Sequence, residues 1–361
     1  MPDSIVNTGA DTSVTPGTAN AMRLSVIVPA RNEQDCVGEC LRSLAAQEED
    51  GWRLGREWEI LLVDDHSTDG TRKIAESIEG VTVMEAPKLE KGWTGKANAV
   101  WAGAQASRGE WLLFADADTV HEAGSASRAI VEAERHGAAM LSYSPRQIVK
   151  GFWQRALMPL VFSELAVTYP PAKVSDPESR LAAANGQFLL VRRDVYFAIG
   201  GHEAVKDAVL EDVELARLVK RRKLGLRFRY APEAVAARMY RTFGAMVEGW
   251  TKNLALLFGN TLAMAAWRVL DLVLLAGLPL LAWWTYGHTR YAVLWIAVLL
   301  IWARTLWRFY SRVRKSNFPF WDCLVSPAAL PLFAALLYRS WFQHTVLKRV
   351  SWKGREYAGR R

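Results

Sequence analysis

Cysteine is scarce in this chain, and its histidines show no pattern typical of metal ligands. Only 3 of the 361 residues are cysteine, and 6 are histidine. Cys36 and Cys40 lie four positions apart on a predicted helix, which is poor geometry for a disulfide. No second pair of Cys or His residues completes a zinc site. The sequence therefore excludes a disulfide-stapled secreted domain and a Cys/His zinc centre.

The first 22 residues lack the basic start and the apolar core of a signal peptide. They are rich in Ser, Thr, Gly, Asn, Asp and Pro, a composition that predicts a disordered leader over residues 1–22. With no export signal of this kind, we expect the catalytic part of the chain to stay in the cytoplasm.

Positive charge is concentrated at the C-terminus. The whole chain has a formal net charge of +8, but residues 301–361 hold 12 basic and 2 acidic side chains, so residues 1–300 are slightly acidic. Because the basic residues alternate with apolar segments, this pattern favours an anionic membrane surface as partner over nucleic acid.

Short apolar runs alternate with stretches of helical periodicity over most of the chain. Strands are predicted at 24–29, 60–63, 81–84, 111–115 and 188–191, and helices at 33–46, 71–78, 96–106 and 211–222. This alternation predicts an α/β fold with a mostly parallel sheet between helices, which binds ligands at the carboxyl ends of its strands. The apolar segment 151–171 contains Pro159, which should break a crossing helix, so we predict an interfacial or acceptor-facing helix pair there.

Two carboxylates follow the strand predicted at 111–115. Asp116 and Asp118 are two positions apart, so their side chains point the same way and repel each other unless a cation lies between them. Hard oxygen ligands without a nearby His or Cys suit Mg²⁺ or Mn²⁺, ions that share their remaining positions with substrate phosphates. The alternative is a polar turn, because Asp is common where strands end.

Three elements of the sequence occur in the order and spacing of one enzyme family. They are Val28-Pro-Ala-Arg-Asn-Glu33, Asp64-Asp-His-Ser-Thr-Asp69 and Asp116-Ala-Asp118. Over about residues 23–253 the set resembles family 2 glycosyltransferases of the GT-A fold. The segment Lys91-Gly-Trp-Thr-Gly-Lys-Ala-Asn98 is similar to one in hopanoid-associated and carotenoid glycosyltransferases, and more distantly in ceramide glycosyltransferases.

The resemblance implies a binding site for each reactant. The donor would be a nucleotide-diphosphate sugar, UDP-linked, and its site would comprise Pro29, Ala30, Asn32, Glu33, Asp65, Lys96, Asp116 and Ala117. Asp118 and Asp116 would hold Mg²⁺ or Mn²⁺, and Asp212 would be the catalytic base. On the acceptor side we expect Glu211, His202, Trp250 and Lys252.

Several of these residues also have a simpler interpretation. Glu211 and Asp212 suit the start of a helix as capping residues. Lys96 has the alternative of a solvated lysine at a helix start, and His202 that of an ordinary loop residue. The segment that contains Trp250 and Lys252 lies just before an apolar run, where such residues often anchor a protein at the membrane interface.

The C-terminal third is apolar enough to interact with a membrane. Crossings are predicted near 269–287 and 289–307, while Pro327 and Pro331 interrupt a third apolar stretch, 323–338, which we expect to be re-entrant or interfacial. The predicted division is a leader (1–22), a GT-A catalytic domain (23–240), an interfacial acceptor-side helix (241–266), transmembrane and re-entrant helices (267–345) and a basic cytoplasmic tail (346–361).

The resulting hypothesis is an inverting glycosyltransferase anchored in the cytoplasmic (inner) membrane by several crossings, with its catalytic domain in the cytoplasm. It would transfer a sugar, for example from UDP-glucose, to the hydroxyl of a lipid. Two alternatives are a sugar transferase to polyprenyl phosphate, whose acceptor needs no strong base, and a non-catalytic membrane scaffold with a degenerate sugar-nucleotide fold.

Overall fold

The computed structural model describes residues 22–47, 51–286, 292–352 and 355–358. The predicted leader, apart from Met22, lies outside the described residues, as do the junction of the two predicted crossings and part of the basic tail. The strands are β1 Leu24–Ala30, β2 Trp58–Asp64, β3 Val81–Glu85, β4 Trp111–Phe114, β5 Thr119–His121, β6 Met140–Ser144, β7 Arg146–Gln147, β8 Leu189–Arg192, β9 Leu226–Tyr230, β10 Val235–Ala237, β11 Arg349–Trp352 and β12 Arg355–Ala358.

Thirteen α-helices are described. They are α1 Val37–Ala45, α2 Thr71–Glu76, α3 Gly95–Ala106, α4 Ser125–Arg135, α5 Gly151–Thr168, α6 Pro171–Ser175, α7 Arg193–Ala198, α8 Glu211–Arg221, α9 Phe243–Leu257, α10 Thr261–Thr285, α11 Ala292–Val313, α12 Phe320–Val325 and α13 Leu330–Trp341. Tighter helical turns lie at Gly201–Val205, Arg314–Ser316 and Ser326–Ala329, and a wider, π-helical turn at Phe342–Leu347.

A seven-stranded sheet in the order β3-β2-β1-β4-β8-β6-β9 forms the centre of the fold. All neighbouring pairs are parallel except the two that involve β8. Strands β1, β2 and β4 are apolar on both faces because one face packs on α1, α2 and α4 and the other on α3, α7 and α8. The predicted α/β class, with a mostly parallel sheet between helices and apolar helices after it, is confirmed.

The carboxyl ends of β1, β2 and β4 meet at one edge of the sheet. Residue Ala30 pairs with Asp64, and the backbone N–H of Asp65 donates to the carbonyl of Ala30 at 2.8 Å. Beside this edge, β10 pairs antiparallel with β5 and parallel with β7 in a small second sheet. The N–H of Arg238 donates to the carbonyl of Asp118 at 3.1 Å, so the residues that follow β10 lie beside the Asp116-Ala-Asp118 motif.

Pro159 does not interrupt its helix. Residues 151–168 form one helix with Pro159 inside it, and only the short α6 follows, so the predicted break is wrong. The prolines of the third apolar stretch do interrupt its α-helix: Pro327 lies in the tighter turn Ser326–Ala329 between α12 and α13, and Pro331 in the first turn of α13, although a helical path continues through them to the π-helical turn. Proline removes one backbone hydrogen bond, and burial of the residues around it keeps these helices together.

The helices that follow the sheets share a third hydrophobic core with α5. Three helical stretches, Thr261–Thr285, Val293–Ser316 and Phe320–Leu347, are long and apolar enough to cross a membrane, judged by length and composition. The first two contain most of the predicted crossings. The third is as apolar as the first, but half of its most apolar window is buried inside the protein, against 17% for each of the other two.

Candidate active site

A cavity of about 500 Å³ opens at the carboxyl ends of β1, β2 and β4, between the sheet and helices α5 and α9. Thirteen of the fourteen predicted site residues line it: Pro29, Ala30, Asn32, Glu33, Asp65, Lys96, Asp116, Ala117, Asp118, Glu211, Asp212, Trp250 and Lys252. They come from segments as far apart in the chain as Pro29 and Lys252, so the tertiary fold assembles one site from all the motifs.

The loops after β1 and β2 hold each other in place. Asn32 adopts a left-handed backbone (φ 53°), and its side-chain oxygen accepts a hydrogen bond from the N–H of Thr68 at 2.9 Å. The N–H of Asn32 donates to Oγ of Ser67, and the N–H of Glu33 to Oγ1 of Thr71, at 3.0 and 2.7 Å. The amide of Asn32 therefore shapes the wall of the cavity.

Lys96 connects Asp116 to the start of helix α8, which carries the predicted base, Asp212. It follows the N-cap Thr94, whose hydroxyl accepts from the N–H of Ala97 at 3.2 Å. Its ammonium group lies 2.7 Å from Oδ1 of Asp116 and 2.8 Å from Oε1 of Glu211. Burial works to lower the pKa of Lys96, but the neighbouring carboxylates outweigh it and raise that pKa well above its ordinary value. Lys96 is thus a fixed positive charge in the cavity.

Asp212 has the environment of a general base. Its Oδ2 accepts from the N–H of Gly186 at 2.7 Å, and its Oδ1 from the N–H of Val213 at 2.8 Å. Burial, and next the negative charge of Glu211, raise the pKa of Asp212 to about 6, while the charge of Lys96 opposes the rise. A carboxylate with this pKa is mostly ionised at pH 7 and accepts a proton more readily than an ordinary Asp. The start of α8 has Leu210 as N-cap and no side-chain capping bond, so Asp212 does not serve as its cap. The bond to Gly186 ties one carboxylate oxygen to a segment outside the helix.

Helix α9 supplies Trp250 and Lys252, two of the three lining residues predicted on the acceptor side; the third, Glu211, is on α8. Trp250 is buried and packs edge-to-face on Tyr240 and on Phe162, with ring centroids 5.9 and 6.2 Å away. Burial lowers the pKa of Lys252 to about 8, partly offset by the negative charge of Glu211. Both residues therefore line the cavity, and their role on the acceptor side stays a prediction.

His202 does not lie on the acceptor side of the cavity. Its ring is buried, packs edge-to-face on Phe114 at 5.0 Å between centroids, and its Nδ1 shares a 2.8 Å hydrogen bond with the hydroxyl of Tyr196. Burial lowers the pKa of His202 to about 3, so the ring is neutral. The prediction was wrong because the Gly200-Gly201 turn that precedes His202 directs it into the core beneath the sheet.

The donor set of Asp116 and Asp118 fits Mg²⁺ or Mn²⁺. Both carboxylates line the cavity, and Asp116 already faces a cation, the ammonium of Lys96. Among the described residues there is no group of three or more His, Cys, Asp and Glu placed to hold a metal. Asp116 and Asp118 would thus supply two hard ligands to such an ion, with the others left to water and a phosphate-bearing substrate.

The structure adds residues that the sequence did not single out as part of the site. Arg31 lines the cavity and donates to the carbonyl of Asp65 at 2.9 Å. Arg238 and Arg241 line both this cavity and a smaller one of about 160 Å³ beyond Asp118. The sequence showed no signal for Arg238, because its position depends on the pairing of β10 with β5.

The part of the chain that carries the sheet is similar to a known enzyme family. Residues 25–199 match the family model described as Glycosyl transferase family 2. The 4,4'-diaponeurosporenoate glycosyltransferases of Staphylococcus aureus strains USA300 and MRSA252 are each 25% identical, covering 94% of this chain and 89% of their own length.

Similar solved structures share less sequence with this chain. S. aureus TarS is 16% identical, with a TM-score of 0.45 over 94% of this chain and 60% of its own. The mannosyltransferase PcManGT from Pyrobaculum calidifontis, solved with GDP-Man and Mn²⁺, is 18% identical, with a TM-score of 0.47 over 93% of this chain and 90% of its own. The family match covers the Asp116-Ala-Asp118 motif and six of the seven strands of the main sheet, and it shows that residues 25–199 form a domain of glycosyl transferase family 2.

Proposed function

We propose that this glycosyltransferase transfers a sugar, with inversion, from a UDP-linked donor such as UDP-glucose to the hydroxyl of a membrane lipid. The observation that carries the proposal is the two-sided character of the cavity. The end at the sheet holds Lys96 between two carboxylates beside Asp212. The end formed by α5 and α9 is apolar, with Phe162, Leu165, Tyr169 and Leu257 among its lining residues.

The similarity to diaponeurosporenoate glycosyltransferases over 94% of the chain supports an acceptor related to lipids. The three apolar helical stretches support a membrane location. We propose that the chain is a multi-pass protein of the cytoplasmic membrane with its catalytic domain in the cytoplasm, because the basic residues of 301–361 favour the cytoplasmic side.

In the proposed reaction, the residues that line the cavity have separate roles. Asp212 takes the proton of the acceptor hydroxyl as that oxygen attacks the anomeric carbon and the nucleotide diphosphate leaves from the opposite face. The positive charge of Lys96 offsets the negative charge of the diphosphate. Mg²⁺ or Mn²⁺ bound by Asp116 and Asp118 would supply further neutralisation of the leaving group. Trp250 and the apolar wall orient the lipid and exclude water.

The test uses the full-length protein in lipid nanodiscs. It is incubated with Mn²⁺, a panel of nucleotide sugars and a bacterial lipid extract, and mass spectrometry identifies any glycolipid formed. We expect one UDP-sugar to give a lipid whose mass has increased by one hexose or related residue. Release of free sugar alone, in every combination, contradicts the lipid acceptor but leaves donor recognition intact.

A sugar transferase to polyprenyl phosphate is the second candidate. The observation in its favour is that Arg238, Arg241 and Lys252 line the cavity, and cations of this kind suit an anionic acceptor. A phosphate acceptor needs no strong base, so transfer to added polyprenyl phosphate that survives in Asp212→Asn would favour this candidate.

A further inference from the structure

Helices α5 and α9 lie side by side along the cavity. At their starts, the rings of Trp153 and Phe243 are 5.9 Å apart between centroids. At their ends, the hydroxyl of Tyr169 donates to the carbonyl of Leu257. The two helices therefore run in the same direction over their full length, and together they form the apolar wall of the active site.

A third helical segment follows the same course. We call residues 320–347, which comprise α12, the Ser326–Ala329 turn, α13 and the π-helical turn, the belt segment. Near its start, Oδ1 of Asp322 lies 2.6 Å from Nε of Arg155 on α5. Near its end, Oγ of Ser340 accepts from the N–H of Ala255 on α9 at 2.9 Å. The belt segment is thus held to the cavity wall at both ends.

The packing relates the course of the belt segment to that of the cavity wall. Helix α9 carries Lys252 and Asn253 on the wall of the cavity that also contains Asp116 and Asp212, and a nucleotide must reach that cavity from water. The belt segment is long and apolar enough for a crossing, but its contacts with α5 and α9 favour a course along the membrane surface beside this cavity.

The outward face of the belt segment is a continuous apolar stripe. Its exposed residues recur at spacings of three and four: Phe320, Trp321, Leu324, Ala328, Pro331, Ala335, Tyr338, Phe342 and Val346. Trp321 is 66% exposed and Tyr338 51%. The opposite face is buried in the helical core and includes Phe333, Leu337 and Ser340. An α-helical segment that is apolar on both faces needs a second apolar environment.

The charges along the outward face of the belt segment favour an anionic lipid surface as the second apolar environment that this face needs. Residues 314–349 contain five basic side chains, Arg314, Lys315, Arg339, Lys348 and Arg349, and all five are exposed. Asp322, the one acidic residue of this stretch, is buried against Arg155. Aromatic residues with flanking basic residues are typical of segments that lie at the boundary between headgroups and acyl chains.

We infer that the belt segment lies in the plane of the membrane, with the stripe from Phe320 to Val346 inserted into the interface of an anionic lipid surface, and does not cross the bilayer. This places the wall of the active site at the level where a lipid hydroxyl is found. The inference rests on the membrane location in the proposed function and not on the identity of the sugar or the acceptor.

Depth-dependent fluorescence quenching tests it in the full-length protein. Single cysteines are introduced by Ala328→Cys and Ala335→Cys on the stripe and by Gly277→Cys in the middle of α10, where a Cβ meets nothing nearer than Val273 at 4.0 Å. Each is labelled with an environment-sensitive dye in vesicles of phosphatidylcholine and phosphatidylglycerol that contain nitroxide lipids of known depth. The parent protein, whose three cysteines are all buried, reports any background labelling.

The two stripe positions should report the same shallow depth, about 5–10 Å into the boundary between headgroups and acyl chains. Gly277 should report a deeper position. A central depth at Ala335, with Ala328 closer to one surface, would show that the segment crosses and would overturn the inference. Absence of quenching at both stripe positions would overturn it as well, since the stripe would then face water or protein. Sugar transfer assayed in the same vesicles reports on the proposed function separately.

Discussion

The ammonium group of Lys96 lies 2.8 Å from Oε1 of Glu211. Glu211 is the neighbour of the proposed base, and the same ammonium is 2.7 Å from Asp116 on the opposite side. Lys96 thereby joins Asp116, which follows β4, to Glu211 at the start of α8. Glu211, predicted on the acceptor side, contacts Lys96, and its charge, after burial, raises the pKa of Asp212, so we expect it to influence the proposed reaction through these two neighbours.

The first prediction concerns pH. Asp212 must be ionised to accept a proton, so kcat/KM should fall as pH decreases through about 6, by about tenfold for each further pH unit. Because Glu211 raises the pKa of Asp212, Glu211→Gln should move this acid limb to lower pH. Glu214→Gln, a variant on the outer side of the same helix, where Glu214 pairs with Arg217, should leave the limb in place. An unchanged limb in Glu211→Gln would contradict Asp212 as the titrating group.

Removal of the base is the second prediction. Asp212→Asn keeps the shape of the side chain and its neighbours but cannot accept the proton. We expect kcat to fall by about a hundredfold to ten-thousandfold, the usual contribution of a positioned base, with UDP affinity unchanged. Calorimetric titration with UDP and single-turnover transfer assays measure the two quantities, with Glu214→Gln as control. Near-native transfer to a lipid alcohol in Asp212→Asn would exclude this role.

The third prediction concerns the metal motif. Asp118→Asn should abolish transfer and reduce the affinity for Mn²⁺ and for the UDP-sugar, because one of two hard ligands becomes a neutral amide. Binding of Mn²⁺ is measured by electron paramagnetic resonance, with and without UDP, and circular dichroism checks the fold. Full activity in this variant, or of the native protein in EDTA, would show that the reaction needs no metal at this position.

The fourth prediction concerns the close contact between Gly186 and Lys96, which a methyl group on Gly186 would disturb. A Cβ on Gly186 would lie 2.9 Å from Nζ of Lys96 and 3.5 Å from Oδ2 of Asp212. Gly186→Ala should therefore displace Lys96 and lower kcat by about a hundredfold, the loss expected from a misplacement near 1 Å. Gly244→Ala, where the new Cβ has no atom within 4 Å, is the matched control. Equal activity of the two variants would mean that the position of Lys96 does not matter.

The fifth prediction concerns the helical core. Glu164 on α5 is 1% exposed and accepts hydrogen bonds from Arg268 on α10 and Arg312 on α11, with Arg268 at 3.0 Å. Glu164→Gln removes the carboxylate that pairs with Arg312 and leaves Arg268 with only Asp271 at 3.1 Å, which should cost about 3–5 kcal/mol of unfolding free energy. The surface variant Glu214→Gln should cost less than about 1 kcal/mol. Unfolding midpoints in detergent compare the two, and equal midpoints would contradict this account.

Local chemistry is enough to predict the α/β class and most of the site. Buried parallel strands such as β1 and β2 contain apolar runs, at 26–30 and 60–63, and carboxylates are expected after such runs at the open end of the sheet. The sequence pattern therefore places Asp116, Asp118 and Lys96 at one edge of the sheet.

The strands of the small second sheet, β5, β7 and β10, were not predicted. They are two or three residues long and gain their stability only from pairing with one another. Arg238 reaches the metal motif through that pairing, and His202 is turned into the core by the packing around it. No local pattern encodes either position.

By itself, the sequence determined the type of sheet, the acidic motifs at its edge and the apolar character of the C-terminal helices, because these depend on residues close together in the chain. The tertiary structure decided which residues from distant segments contact each motif. The raised pKa of Asp212 depends on Glu211 and Lys96 in a buried cavity, and the course of the belt segment depends on its contacts with α5 and α9. Burial and charge pairing between distant segments exist only once the chain has folded, and they set the chemistry of this site.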